Sequence, residues 1–497
     1  MTHADDPTDL DADALSRAIH ARQWSCREVM AAYLARIHRL NPHFNAIVNL
    51  APDEGLLRQA DERDQELARG QSRGWMHGMP QAIKDTGHAL GFPTTFGTPL
   101  LKDAQATQDS LHVARMKAAG AVVVGKTNMP EFGLGSHTFN PLFGATGNAW
   151  DSSVTCGGSS GGAAVCLAQR LLPVADGSDF MGSLRNPAGW NHIVGLRPSQ
   201  GRVPAWPKPE VFVSQLGTDG PMGRTVRDVA RLLSIQAGYD ARVPLSIANG
   251  PQGSGSQGKG PQGNAAQDFV PGPDASVRGQ RIAWLGDLGG HLAVEAGILP
   301  LCEQALARMA GAGAHVEPIS LGFDADRLWQ AWLLWRRALT APAVAAVIGQ
   351  PGARARIKPE ALWEYDQAQS VTVVEFMQAA QTRTAFYQHM LALMQRFDAI
   401  AMPVAQVWPF AIGLDWPHQV AGRAMDTYHR WMECTIHATF AGLPAISVPA
   451  GFDPSGRWPM GLQLIGRPQG DADLLRLAAG YELLLGDELQ RRPPEPA

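Results

Sequence analysis

Residues Thr155–Arg185 read TCGGSSGGAAVCLAQRLLPVADGSDFMGSLR. Two serines, Ser159 and Ser183, lie in glycine-rich surroundings on either side of Ala163–Leu172, a small-residue, apolar segment that predicts a buried helix. Glycine lets the backbone turn tightly and approach a substrate closely. Two such loops around a buried helix indicate backbone N–H groups collected around a reacting group. Either loop alone is also typical of a tight connection in a large α/β protein.

The composition is typical of a globular protein with a large core. Of the 497 residues, 45% are apolar and 18% are charged. The net charge of −4 gives no indication of nucleic acid or an anionic membrane as a partner. The acidic N-terminus lacks the apolar core of a signal peptide, and no run approaches the roughly 20 apolar residues that span a bilayer.

The five cysteines are scattered, without a CxxC pair or clustered histidines. This pattern indicates neither a disulfide framework nor a structural zinc site. We therefore expect no metal and a reducing, cytoplasmic setting.

Helix and strand patterns alternate along the chain, which predicts a layered α/β fold. Residues 9–40 predict two helices, with Pro42 as the stop, and residues 54–69 predict a charged, exposed helix. A segment rich in Gly, Gln and Ser, at about 249–268, predicts a flexible surface insertion. The expected later strands are 280–285, 315–321, 397–403, 445–449 and 461–466, and the expected later helices are 293–312, most of 325–397, and 471–485.

Gly78–Asp85 reads GMPQAIKD, in which Gly78 and Pro80 mark a turn and a short apolar segment leads to Lys84. A lysine in this position lies either at the rim of a buried site or in an exposed loop. This stretch alone favours the exposed loop.

Gly120–Thr127 reads GAVVVGKT and matches the phosphate-binding pattern GxxxxGK[ST]. In that motif a loop cradles the phosphates and a helix follows the lysine. Here Ala121–Val124 predicts a strand, and Pro130 makes a following helix unfavourable. We therefore do not expect nucleotide binding.

Gly158–Gly162 reads GSSGG and fits the pattern GxSxG with Ser160 as nucleophile. That turn needs a strand directly before the serine, whereas Asp151–Gly157 is polar and turn-like. It also needs a histidine partner, and nothing selects one of the seven later histidines. A Ser-His-Asp esterase centred on Ser160 remains an alternative.

Several stretches taken together resemble the amidase signature family. They are GMPQAIKD at Gly78–Asp85, GKTNMPEF at Gly125–Phe132, GGSSGGAA at Gly157–Ala164, GSDFMGSLRNPA at Gly177–Ala188, AGLPAISVPAG at Ala441–Gly451 and MGLQLIG at Met460–Gly466. The order of the lysine, the GGSSGG run and the final serine matches the family, as does the spacing of the two serines. The resemblance covers most of the chain. It implies one large α/β/α domain in which helices cover a mixed central sheet.

Within that fold, we expect residues 1–70 to form a helical segment packed on the core and residues 71–497 to form the catalytic domain. A mainly helical region at about 325–430 is expected to shape the substrate pocket.

The resemblance implies a Ser–cisSer–Lys triad, with Ser183 as nucleophile, Ser159 as bridging serine after a cis peptide bond, and Lys84 as terminal base. A serine hydroxyl needs a base in order to attack near neutral pH. Burial favours the neutral lysine that could serve as this base. A hydroxyl both accepts and donates a proton, so Ser159 can connect the other two groups. Ser160 is expected to support this triad.

The loop before Ser183 is expected to supply the oxyanion hole through the N–H groups of Phe180, Met181, Gly182 and Ser183. Asp179 and Arg185 are interpreted as an ion pair that supports this loop, the alternative being that each is solvated separately. The chain departs from the family pattern [ST]-D-x-G-G-S, because Met181 stands where the first of the two glycines is usual. Met adopts a positive φ less readily than Gly, so either the loop does not need it here or the hole has shifted.

The resulting prediction is hydrolysis of a carboxylic amide through a seryl acyl-enzyme, with no cofactor, on a small or aromatic, apolar amide. We expect no nucleic acid or membrane partner, and a homodimer is compatible with the sequence. Two alternatives are a glutaminase-type subunit of a tRNA-dependent amidotransferase and a non-catalytic binding homologue. Met181 and the absence of a basic surface signal weigh against the first, and the joint presence of Lys84, Ser159 and Ser183 weighs against the second.

Overall fold

The computed structural model of the protein describes residues 6–248 and 269–496, so the predicted insertion at about 249–268 lies outside the described residues. The α-helices are α1 (Ala12–His20), α2 (Cys26–Phe44), α3 (Asp53–Ala68), α4 (Leu111–Ala118), α5 (Gly161–Ala168), α6 (Arg185–Trp190), α7 (Val226–Gln236), α8 (Ile298–Gly311), α9 (Ala325–Ile348), α10 (Pro359–Ala368), α11 (Val373–Met394), α12 (Ile436–Ala441) and α13 (Asp471–Glu482).

The strands are β1 (Ile47–Val48), β2 (Pro80–Lys84), β3 (Val122–Thr127), β4 (Phe139–Asn140), β5 (Gly144–Ala145), β6 (Val174–Asp179), β7 (Val194–Arg197), β8 (Thr218–Gly223), β9 (Arg281–Trp284), β10 (His315–Pro318), β11 (Ala399–Pro403), β12 (Gln419–Val420), β13 (Arg423–Ala424), β14 (Ala445–Phe452) and β15 (Pro459–Gly466).

An eight-stranded mixed sheet forms the centre of the protein, in the order β10-β9-β11-β15-β14-β7-β8-β6. The three strands at the β10 end are parallel, and every pair from β11 to β6 is antiparallel. Strands β11, β15 and β14 are almost entirely buried, as expected for strands covered on both faces. The predicted α/β fold with a mixed sheet covered by helices is confirmed.

A smaller sheet, β1-β3-β2, carries Lys84 at the end of β2. Strand β3 pairs with β2 in parallel and with β1 in antiparallel fashion, so the segment 1–70 contributes a strand as well as helices α1–α3. Gly125, Lys126 and Thr127 lie within β3. The rejection of a phosphate-binding loop at this place is therefore confirmed by the strand.

Helix α2 does not stop at Pro42, so that prediction was wrong. The helix continues to Phe44, and Pro42 lies inside its last turn. Asn45 ends the helix by taking a left-handed conformation (φ 53°), and its N–H donates to the Asn41 carbonyl at 2.7 Å. A proline this close to the end of the helix removes one backbone hydrogen bond, and only His43 and Phe44 follow it in helical conformation.

Helix α9 is the one helix in the described residues that is long and apolar enough, by length and composition, to cross a membrane. In the structure it contributes buried tryptophans, including Trp329 and Trp332, to the main apolar cluster around the large sheet. A second cluster joins α1–α3 to α5 and the small sheet.

Candidate active site

Lys84 ends β2 and is only 1% exposed. Its Nζ donates to Ser159 Oγ at 2.8 Å and to Ser160 Oγ at 2.9 Å. It also contacts Ser178, through Oγ at 2.9 Å and through the carbonyl oxygen at 3.2 Å. Three hydroxyl groups, two from the loop before α5 and one from β6, therefore converge on one buried amine.

Burial lowers the pKa of Lys84 from 10.5 to about 7, because the charged form loses its hydration. The carboxylates of Asp219, Asp179 and Asp176 oppose this effect by favouring the ammonium. Near neutral pH, a substantial share of Lys84 is therefore neutral and able to accept a proton.

Ser159 lies in the loop before α5, and the Gly158–Ser159 peptide bond is cis. Its Oγ borders Gly133, where an added Cβ would lie 3.6 Å away. Ser160 directly precedes α5, and its Oγ donates to the Ser178 carbonyl at 3.3 Å. Across residues 6–248 and 269–496, no histidine is hydrogen-bonded to Ser160, so its surroundings do not favour the esterase alternative.

The glycines that open α5 serve packing. A Cβ on Gly162 would lie 2.6 Å from the Ala46 carbonyl oxygen, and one on Gly161 would meet the Cys156 sulfur at the same distance. The predicted helix at Ala163–Leu172 therefore starts earlier, at Gly161, and ends at Ala168.

Ser183 lies in the turn between β6 and α6 and is 5% exposed. Its carbonyl oxygen accepts the N–H of Ser160 at 3.2 Å, which joins the two serine-containing loops directly. Lys84, Ser159, Ser160 and Ser183 are thus brought to one place by elements that are far apart in the chain.

Asp179 holds the turn that carries Ser183. Its carboxylate forms a bidentate ion pair with Arg185, at 2.9 Å to Nε and 3.0 Å to Nη2, and both side chains are fully buried. It also accepts the backbone N–H groups of Gly182 at 2.9 Å and Leu184 at 3.2 Å. Burial alone would raise the pKa of Asp179, but Arg185 and Arg197 lower it to about 2.

One of the expected oxyanion donors takes part in these contacts. The Gly182 N–H, which belongs to the expected set, already donates to the Asp179 carboxylate. The N–H groups of Phe180, Met181 and Ser183 have no acceptor within the part of the chain that the structure describes. Three of the four expected donors therefore remain available.

The positive φ in this turn belongs to Gly182 (φ 84°), and Met181 is not among the described residues with a positive φ. A Cβ on Gly182 would also lie 2.6 Å from Thr435 Cγ2. The turn therefore needs glycine at position 182 and not at 181, which explains how Met181 fits here.

A model of the amidase family matches residues 28–475. The chain belongs to the amidase signature family.

It is 32% identical to an acylamidase of Rhodococcus erythropolis over 480 residues, covering 95% of each chain. It is 33% identical to a glutamyl-tRNA(Gln) amidotransferase subunit of Symbiobacterium thermophilum over 487 residues, covering 95% of this chain and 96% of the relative. The crystal structure of a bacterial aryl acylamidase, itself an amidase signature enzyme, superposes with a TM-score of 0.85 at 29% identity, covering 96% of each chain. The protein is an amidase, an enzyme that hydrolyses carboxylic amides.

Helix α9 of this amidase packs against the turn before Ser183. The rings of Phe180 and Trp332 lie 5.5 Å apart between centroids, and the Arg336 guanidinium lies 5.7 Å from the Phe180 ring. Arg336 Nη1 lies 3.7 Å from the sulfur of Met181. The predicted helical region thus contacts Phe180 and Met181, which precede Ser183 in this turn.

Sequence reasoning missed Ser178 and Asp176 in this amidase. Both lie on β6, and Asp176 accepts the backbone N–H of Lys84 at 3.3 Å. The period-2 alternation of a strand could have placed them on one face, but nothing in the sequence showed that β2 lies beside β6. In the described residues, no group of three or more His, Cys, Asp or Glu side chains could hold a metal ion.

Proposed function

We propose that the amidase cleaves its substrate through an acyl-enzyme on Ser183, with Ser159 as bridging hydroxyl and Lys84 as base. The observation that carries this proposal is the buried Lys84 amine at 2.8 Å from Ser159 Oγ, with a pKa of about 7. Such a lysine can accept a proton at neutral pH, whereas a solvated lysine cannot.

In the proposed reaction, Ser183 Oγ attacks the amide carbonyl carbon while its proton passes to Ser159, whose own proton passes to Lys84. The tetrahedral intermediate collapses with cleavage of the C–N bond. The leaving nitrogen takes a proton returned from Lys84 through Ser159. Water then attacks the acyl-enzyme by the same route, releasing the carboxylic acid and free Ser183.

The oxyanion of the intermediate would be bound by the N–H groups of Met181 and Ser183, with Phe180 as the third candidate. Asp179 supports this proposal, because it fixes the turn through Gly182, Leu184 and Arg185 before any substrate arrives. Donors that are already in place stabilise developing charge without reorganisation.

We propose an N-acyl amide with an aromatic or apolar group as substrate. The acylamidase and aryl acylamidase relatives support this class. The contact of Phe180 with Trp332 supports an apolar wall built by the helical region at about 325–430. In this proposal, residues 71–497 carry the catalytic domain and residues 1–70 are packed on it.

We further propose a cytoplasmic enzyme that acts on a small molecule without nucleic acid or a membrane and can form a homodimer. The five cysteines support a reducing compartment, since all are free and buried. Light scattering of the purified protein gives the mass in solution and distinguishes monomer from dimer.

Intact mass after incubation with a small fluorophosphonate tests the triad. We expect an adduct on the wild type that is absent from Ser183→Ala, because only an activated serine reacts with this reagent. Ser160→Ala, which changes the neighbouring hydroxyl, should keep an adduct on Ser183. An adduct that survives in Ser183→Ala and maps to Ser160 would contradict the assignment. Release of amine from a panel of N-acyl anilines and primary amides then defines the substrate.

A second candidate is the glutaminase subunit of a tRNA-dependent amidotransferase. The observation in its favour is the 33% identity with such a subunit over nearly the whole chain. Copurifying partner chains and ammonia release that depends on glutamine would support it. Failure of the wild type to form an adduct would favour either this partner-dependent subunit or the non-catalytic binding homologue.

A further inference from the structure

His112, on α4, lies between two carboxylates next to the proposed active site. Its Nε2 is 3.4 Å from Asp176 Oδ2, and its Nδ1 is 3.6 Å from Asp219 Oδ2. His112 and Asp176 are buried, and the side chain of Asp219 is 20% exposed. We call these three residues the His112 cluster. The proposed reaction does not use any of them.

The strand register places the His112 cluster beside Lys84. Asp176 and Ser178 are two residues apart on β6, so they share a face, and Ser178 pairs with Asp219 on β8. Ser178 touches Lys84 Nζ, so both carboxylates lie on the face that meets the amine.

Gly87 brings the imidazole close to the end of β2. A Cβ at Gly87 would lie 3.3 Å from His112 Nε2 and 3.4 Å from the Lys84 carbonyl oxygen. The absence of a side chain there lets the histidine and the lysine backbone approach each other.

The two carboxylates favour the charged form of His112. Burial alone would lower the pKa of the imidazole, but Asp219 and Asp176 more than offset it and hold the pKa above the usual value. With a protonated imidazole, the cluster carries one net negative charge. With a neutral imidazole, it carries two.

The other charged groups around this place are largely compensated by neighbours. Lys126 on β3 acts on His112 and pairs with Asp85 at 3.4 Å. The neighbouring His88 is acted on by Lys126, Asp85 and His112. Asp179, which also acts on Lys84, is paired with Arg185 and lies 3.7 Å from Arg197. Asp176 and Asp219, which both act on Lys84, are therefore in contact with a histidine whose own charge changes with pH.

We propose that His112 is a positioning residue whose positive charge offsets Asp176 and Asp219 and thereby keeps Lys84 ready to accept a proton at neutral pH. This inference rests on the proposed function, in which Lys84 is the base. In this proposal, a histidine that does not touch the substrate shifts the pH range in which the enzyme is active.

The test is the pH dependence of phosphonylation of Ser183 by a fluorophosphonate, followed by intact mass. The wild-type rate should rise with pH through about 7, as Lys84 loses its proton. In His112→Asn, two uncompensated carboxylates favour the ammonium, so the midpoint should move upward by about one pH unit. At a pH below the wild-type midpoint, this shift is a loss of about tenfold in rate.

A second substitution separates charge from structure. Asp219→Asn added to His112→Asn restores one net negative charge, so the midpoint should return toward that of the wild type. Asp151→Asn is the matched control, because the side chain of Asp151 is only 7% exposed, its pKa is lowered so that it stays charged, and it is not among the carboxylates that act on Lys84. Added to His112→Asn, it should restore nothing. A midpoint that does not move in His112→Asn, or does not return in the double variant, overturns the inference.

A direct titration keeps this test independent of the reaction and of the substitutions in the His112 cluster. Lysine labelled with carbon-13 at Cε reports the protonation of Lys84 by NMR, with the signal assigned by its loss in Lys84→Met. In the wild type it should show a second inflection where a histidine ring titrates, and a single inflection contradicts the inference. If the wild type forms no adduct while these inflections appear, the proposed function fails and the coupling of His112 to Lys84 stands.

Discussion

Gly182 is the residue on which the geometry of the turn before Ser183 depends. It combines a left-handed backbone (φ 84°) with an N–H that donates to Asp179 and a Cα that faces Thr435. The departure at Met181 is therefore compatible with a working turn, because the neighbouring residue takes the conformation that only glycine adopts easily.

Gly182→Ala should destabilise the protein and reduce activity. The added Cβ meets Thr435 Cγ2 at 2.6 Å, on top of a backbone strain of about 1–2 kcal/mol for a left-handed L-residue. Gly279→Ala is the matched control, since Gly279 has a similar φ of 75° and no atom within 4 Å of the new Cβ. Chemical denaturation should show a larger loss for Gly182→Ala, and equal losses would mean that Thr435 moves aside.

At the scale of elements, the buried Asp179–Arg185 pair joins the end of β6 to the start of α6. Arg185 also donates to Gln463 on β15 at 2.6 Å and to the Thr435 carbonyl at 3.1 Å. The turn that carries Ser183 is thus tied to the central sheet and to the segment before α12.

Arg185→Met should lower the free energy of unfolding by about 3–5 kcal/mol, because it leaves the Asp179 carboxylate buried without its cation. Activity should fall as well, since the turn loses its support. Arg58→Met serves as control, because the Arg58–Glu54 pair is exposed and contributes little. Denaturant unfolding followed by circular dichroism measures the stability of both variants. A small effect for Arg185→Met would show that Arg197 can replace it.

Much of the fold could be predicted from the sequence at this scale. The run of valines in GAVVVGKT predicted β3 and excluded a phosphate-binding loop, because β-branched residues favour strands. The ends of the helices were harder to predict. Pro42 did not end α2. Helix α5 began at Gly161, where neighbouring segments come so close that only glycine fits, and no local sequence pattern shows such a contact.

The residues proposed as the triad were predicted through a family resemblance, and the stretch around Lys84 alone had favoured an exposed loop. Ser178 and the His112 cluster could not be found in this way. His112, Asp176 and Asp219 are far apart in the sequence, and only the pairing of β6 with β8 and the packing of α4 bring them together.

At the scale of the whole molecule, the mainly helical region is inserted into one continuous structure. Helices α9–α11 lie between β10 and β11, which belong to the same central sheet. The Thr155 N–H donates to the Phe410 carbonyl oxygen at 2.8 Å. The Lys358 ammonium donates to the Leu134 carbonyl oxygen at 2.6 Å, next to the loop that borders Ser159.

We expect the helical region and the catalytic core to unfold in one cooperative transition, because buried contacts join them on both sides of the insertion. Hydrogen exchange read by mass spectrometry at increasing denaturant separates peptides of the region at about 325–430 from peptides of the central sheet. The two sets of peptides should lose protection at the same denaturant concentration. An earlier loss in the peptides of 325–430 would show that this region is an independent domain.

The packing of α9 on the turn before Ser183 has a consequence for protein engineering. Trp332 and Arg336 touch Phe180 and Met181, whose backbone amides are proposed to bind the oxyanion. A library that substitutes residues on α9 in order to widen the proposed pocket will therefore also displace the proposed oxyanion donors. Broader substrate scope and turnover number will trade against each other in this scaffold unless a second substitution holds the turn in place.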